Sequence, residues 1–200
     1  MEQLAGKVVL ITGAGRGSGR RLALAFAERG AIVAANDISP INVEAVVDEI
    51  EKRGGRAQAY IEDVAKKVGA QNLIKQVEDE FGRIDILVNH ASVEPHVPLL
   101  EMDEWDWHRV LDVNLTGAFL MTQSVGRVMS GSQGSGLIVN LIAADQAPVK
   151  DETAFVASMQ GLIGFTSQAA RELSPYGIQV HAVETDEDVV KNVFALLEEK

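Results

Sequence analysis

Six short runs of β-branched and apolar residues recur along this chain: VVLIT at 8–12, AIVAA at 31–35, AQAYI at 57–61, IDILV at 84–88, GLIVNLI at 136–142 and IQVHAV at 178–183. The first five lack the polar alternation of a half-wetted strand, as strands covered on both faces do. Between the runs, apolar periodicity predicts helices over 19–29, 42–52, 66–81, 103–129, 152–173 and 186–198. Strand and helix in strict alternation pack as an α/β fold, a doubly wound parallel sheet of about six strands. Breakers fall where such a fold needs them: Gly30, Gly54, Gly55, Gly82, Gly131, Gly134 and Gly136 follow helical patterns and precede strands, and Pro175 with Gly177 closes the last long helix. No repeat or linker interrupts the series, and GSQGSG at 131–136 reads as a surface turn. A chain of 200 residues buries a sizeable core without splitting, so 1–200 is expected to be a single domain.

Charge and composition narrow the function classes. With 29 acidic against 18 basic residues, the net charge of -11 repels nucleic-acid backbones and anionic lipid surfaces, so neither is an expected partner. No apolar run reaches the length of a membrane span, and the N-terminus MEQLAGKVVLITGAG lacks the basic-then-apolar pattern of a secretory signal. The chain has no Cys, which removes disulfides, thiolate nucleophiles and cysteine metal sites and fits a cytoplasmic setting. His96, His108 and His181 show no ligand spacing with carboxylates or with one another, so no metal is expected.

TGAGRGSG, Thr12 to Gly19, ends the first strand and opens the first helix. A pyrophosphate site needs a tight turn, an unobstructed approach and close helix-to-strand packing, and Gly13, Gly17 and Gly19 are spaced for those three needs. Asp37, at the end of the second strand, is placed to hydrogen-bond adenosine ribose hydroxyls and to repel a 2′-phosphate, which favours NAD over NADP. Arg16, within the loop, weakly opposes that preference. The same glycines also serve as a plain turn in a sheet protein that binds nothing; strand, helix and Asp37 together favour the site.

TGAGRGSG, Asp63-Val64, NHAS at 89–92, Asn114 within LDVNLTGAF, GLIVN at 136–140, and the AFVAS and GIQVHAV stretches resemble the short-chain dehydrogenase/reductase family in order and spacing over nearly the whole chain. The resemblance implies a Rossmann-like fold with Gly13, Arg16, Gly17, Ser18, Gly19, Asp37, Asp63, Val64, Asn89, His90 and Ala91 around the cofactor. Ser18 stands where the family has an apolar residue, and Ser92 where its NxAG-like block ends in glycine. The family transfers hydride between a nicotinamide and a carbonyl or alcohol carbon, using a tyrosine, a lysine four residues later, a strand-end serine and a helix asparagine. Position by position, Asn114 is retained, whereas the tyrosine, lysine and serine positions are Phe155, Met159 and Ala143. None of those three replacements can donate, accept or carry charge as the reaction demands.

After the sixth run, HAVETDEDVVKNVFALLEEK lacks the family's proline-glycine turn and the lid that follows it, and no seventh strand is visible. The resemblance therefore implies a catalytically degenerate relative that retains NAD binding. Two other readings stand beside it: an NAD-dependent oxidoreductase using non-standard groups such as His90 or Lys150, and a structural subunit that binds no nucleotide. His90 reads as an acid/base or as a hydrogen-bonded filler, and Lys150, near Asp145, Asp151 and Glu152, as a surrogate cation or a solvated charged turn. Of Trp105 and Trp107, two apart on one helix, one packs inward and the other sits at a rim. The segments LDVNLTGAFLMTQSVGRVM and FVASMQGLIGFTSQAARELS are more apolar than a sheet face requires and carry Gly117, Ala118, Gly161 and Gly164. They point to a homodimer through these two helices, extended to a tetramer or a hetero-oligomer if a second face is used.

Overall fold

The computed structural model describes residues 4–132, 134–143 and 150–198. Asp145 lies outside the described residues. The strands are β1 (Val8–Thr12), β2 (Ile32–Asn36), β3 (Arg56–Tyr60), β4 (Ile86–Asn89), β5 (Gly136–Ile142) and β6 (Ile178–Glu184). They form one parallel sheet in the order β3-β2-β1-β4-β5-β6. The helices are α1 (Gly17–Glu28), α2 (Pro40–Lys52), α3 (Lys67–Phe81), α4 (Glu104–Leu111), α5 (Gly117–Ser132), α6 (Thr153–Leu173) and α7 (Val189–Glu198).

Uninterrupted apolar strands are explained by their two faces. Val9 and Ile11 of β1 join Val33, Val88 and Val139 in a core with Leu22 and Phe26 of α1 and Phe194 of α7. Their neighbours Val8 and Leu10 join Ala34, Leu87 and Ile138 in a second core with Leu73 of α3 and Met121 of α5. Each large side chain taken fully from water contributes roughly 1.5–3 kcal/mol, so both faces must be covered for the sheet to hold. β3 departs from the expected double burial: it is an edge strand, with Arg56 and Gln58 exposed. β6, at the other edge, exposes Gln179 and Glu184.

Several element boundaries differ from the sequence reading by one to three residues, and two differences shape the site. The first helix begins at Gly17, two residues early, because the glycine loop feeds it directly. The expected helix over 103–129 is divided by a π-helical turn, Asp112–Thr116, which inserts a residue into the spiral around Asn114. At the base of the sheet, burial opposes the charge of Asp85. Hydrogen bonds from Arg83, Lys7 and the Val8 N–H outweigh that cost and hold the carboxyl below the ordinary carboxylate range. This knot ties the start of β4 to β1. β1 and β4 are neighbours although the chain visits β2 and β3 between them, so connections leave this point in opposite directions and open a crevice at the strand ends.

Candidate functional site

The glycine loop fills that crevice. Gly13 has φ +65°, and a Cβ there would lie 2.9 Å from the Ala91 backbone. A Cβ on Gly19 would lie 2.6 Å from Nδ1 of His90, so α1 approaches β4 only because this residue has none. Thr12 Oγ1 accepts from the N–H groups of His90 and Ala91 at 3.1 and 3.2 Å, fastening the NHAS segment to the loop. At the start of α1, the exposed Arg16 gives no side-chain cap and the first turn has no acidic residue, which leaves helix N–H groups directed at the crevice.

Asp37 is held by two backbone donors: Gly15 N–H reaches Oδ2 and Ser39 N–H reaches Oδ1, both at 3.0 Å. Each oxygen keeps acceptor capacity towards a cleft of about 840 Å³ lined in part by Gly13, Arg16, Gly17, Asp37, Asp63 and Trp105. The role of Gly15 is absent from the sequence reading, and its close approach to Asp37 and Asn42 is the reason that a side chain does not fit there. Asp63 accepts from the Ala65 N–H at 3.0 Å, and Val64 is buried beside it. Trp105 is 65% exposed at the cleft rim, whereas Trp107 packs inward, the division expected of the pair.

His90 lines this cleft and the next one. Its Nδ1 lies 2.9 Å from the Gly13 carbonyl, which can only accept, so Nδ1 carries the proton and Nε2 is bare. Burial pushes the imidazole below its ordinary value, and nearby Arg16 adds to that, while the Gly13 carbonyl and Asp37 oppose it. Asn89 faces the interior. Its Nδ2 donates to Thr122 Oγ1 at 3.2 Å and to Asn140 Oδ1 at 2.8 Å, and its buried Oδ1 has no partner among the described residues.

A second cleft of about 1160 Å³ adjoins the first and is lined by Ser18, Ser92, Glu94, Ala143, Phe155 and Met159 among others. Phe155 and Met159, 9% and 7% exposed, pack with Val110, Ile142 and Leu162 in a third apolar cluster, so they serve as wall and core at once. Asn114 is fully engaged: Oδ1 accepts from Val93 N–H at 2.8 Å, and Nδ2 donates to Val93 O and to Ser158 Oγ, both at 3.0 Å. Lys150 points away, 90% exposed and 3.9 Å from Asp151, an ordinary charged turn. Sequence spacing misses one further group, Glu94 and Glu152 on this wall with His96 beside them, because the fold alone brings the segment after β4 against the start of α6.

The family model for short chain dehydrogenase matches residues 7–187. A (2S)-[(R)-hydroxy(phenyl)methyl]succinyl-CoA dehydrogenase subunit of Thauera aromatica is 40% identical over 178 residues, which cover 88% of this chain and 71% of the relative. A 3-oxoacyl-[acyl-carrier-protein] reductase of Synechocystis sp. is 41% identical over 185 residues, 92% of this chain and 74% of the relative. Among solved structures, an NAD+-bound xylitol dehydrogenase superposes with a TM-score of 0.85 at 33% identity, covering 90% of this chain and 70% of that one. A metagenomic short-chain oxidoreductase in complex with NADP gives 0.90 at 30% identity, covering 99% and 93%.

Proposed function

The chain belongs to the short-chain dehydrogenase family, and from that premise we propose that it binds a nicotinamide dinucleotide without performing the family's hydride transfer. One observation carries the second half: the cleft beside the dinucleotide crevice is walled at Ala143, Phe155 and Met159 by groups that cannot exchange a proton. A positioned acid/base contributes about 10²- to 10⁴-fold, so its loss removes most family-type turnover. The residues present suit the cofactor: uncapped N–H groups of α1 for the pyrophosphate, Asp37 for the adenosine ribose, and Asp63 with Val64 for the adenine. The Asp37 carboxylate favours NAD over NADP. A nicotinamide ring supplies hydride chemistry when bound; the residues of this chain orient the molecule and leave no proton relay at positions 143, 155 and 159. The connection from β6 to α7 spans only residues 185–188, too short to carry a lid over the second cleft.

The test pairs binding with turnover. Trp105, at the cleft rim, gives a fluorescence signal for titration with NADH and NADPH. Micromolar NADH binding, weakened at least about 10-fold in Asp37→Ala, with no turnover across carbonyl and alcohol panels is the expected result. Robust turnover would establish an oxidoreductase with non-standard groups instead. Absence of binding at millimolar nucleotide would leave the purely structural subunit.

A further inference from the structure

Glu94 and Glu152 on the wall of the second cleft, with His96 beside them, carry metal-ligating atoms that the dinucleotide reading does not use. Ligand atoms of Glu94, His96 and Glu152 all lie within 4.8 Å of one another. Nδ1 of His96 and Oε1 of Glu152 are 3.3 Å apart. Tetrahedral donors about 2.0–2.1 Å from a zinc ion are themselves about 3.3 Å apart, so this pair already has the required span. Glu94 is exposed and its carboxylate lies within 4.8 Å of both, a distance that a side-chain rotation closes. The two chain segments are fastened where they supply these groups, by a 2.8 Å hydrogen bond from the Val97 N–H to the Asp151 carbonyl.

Burial gives an independent reason to look for a cation. The Glu152 side chain is only 8% exposed, and among the described residues its one ion-pair partner is the imidazole of His96. A buried carboxylate needs a compensating charge, and a cation held between it and His96 would supply one.

We propose that Glu94, His96 and Glu152 bind one divalent transition-metal ion of the zinc or manganese class on the wall of the second cleft. Two carboxylates with one imidazole and no thiolate match that class better than soft ions, and the imidazole disfavours magnesium and calcium. Three protein ligands leave a coordination position open, as catalytic rather than structural sites do. Glu94 and Glu152 both line the cleft, so this position faces the space next to Phe155 and Met159 and accepts a water or a substrate oxygen. A cation there would restore positive charge to a wall from which the lysine and tyrosine implied by the resemblance are missing.

The deciding experiment is a calorimetric titration of the full-length, untagged, nucleotide-free protein with zinc chloride. Manganese follows, read by electron paramagnetic resonance. One saturable equivalent is expected, weakened more than about 10-fold in His96→Ala and in Glu152→Gln, but unchanged in His108→Ala. His108 lies 3.4 Å from Glu104 on an exposed helix turn and represents adventitious surface binding. Should Glu152→Gln unfold, the exposed Glu94→Gln takes its place, since it probes the same ion without disturbing a buried group. No saturable binding, or equal binding in wild type and His96→Ala, overturns the proposal. Because nucleotide is omitted, failure here leaves the dinucleotide reading standing, and failure of NADH to bind leaves the metal site standing.

Discussion

At the scale of single residues, His90 couples the nucleotide crevice to pH. Its Nδ1 is committed to the Gly13 carbonyl, and burial holds the free imidazole neutral, with the bare Nε2 beside the glycine loop. A pyrophosphate bound at the start of α1 would favour the protonated ring, so binding takes up a proton. Affinity for NADH is therefore expected to rise by several-fold as pH falls from about 8 to about 6, and His90→Asn should flatten the profile. His108, the other imidazole lining that cleft, is exposed, and His108→Ala should leave the slope in place. The sign is opposite for the ligand-free fold. The folded value lies below the unfolded one, so the unfolded chain binds the proton first and stability declines as pH drops below about 6.5. A titration with no slope between those pH values, or one preserved in His90→Asn, would remove this residue from the site.

Among the elements, the π-turn between α4 and α5 does the most to shape the clefts. Insertion of one residue presents Asn114 to the segment after β4, where all its hydrogen-bonding groups meet Val93 and Ser158. Asn114→Ala would strand the half-buried Val93 backbone and the buried Ser158 hydroxyl, so a loss of about 2–3 kcal/mol in chemical denaturation is expected, with NADH affinity little changed. Nothing local announces this turn: LDVNLTGAF keeps helical periodicity across it, which is why the sequence reads as one continuous helix. β1, β2, β4 and β5 were legible as buried elements because two-faced burial leaves no polar alternation, and burial is written position by position. β3 is misread because AQAYI is apolar enough to imitate a central strand while only one side of it is covered. The glycine loop and Asp37 were legible for a similar reason, since their spacing is local. The grouping of Glu94 and His96 with Glu152 depends on contact between segments more than fifty residues apart, which no local spacing encodes.

For the whole molecule, the unresolved balance is between apolar surface and solubility, and a second copy of the chain is the expected answer. The small residues of the two long helices are not all free to serve it. A Cβ on Gly161 would meet Leu115 at 2.9 Å and one on Gly117 would lie 3.4 Å from Val64, so these two close contacts are internal. Ala118 is buried as well, whereas Gly164 meets nothing within 4 Å. Exposed apolar area on α5 and α6 instead comes from Phe119 and from Val156 at the second cleft, 40% and 47% exposed, with the Phe119 ring edge-on to Phe165 at 6.1 Å. A twofold axis across these helices would bury both patches at once, because an isologous contact uses each surface twice. Sedimentation velocity at micromolar concentration is expected to give a dimer, and Phe119→Asp with Val156→Asp to give a monomer with unchanged circular dichroism. A monomeric wild type at that concentration would show that the apolar surface is simply solvated. A dimer that survives both charges would place the interface on another face, and β6, an edge strand among the described residues, would then be the surface to test.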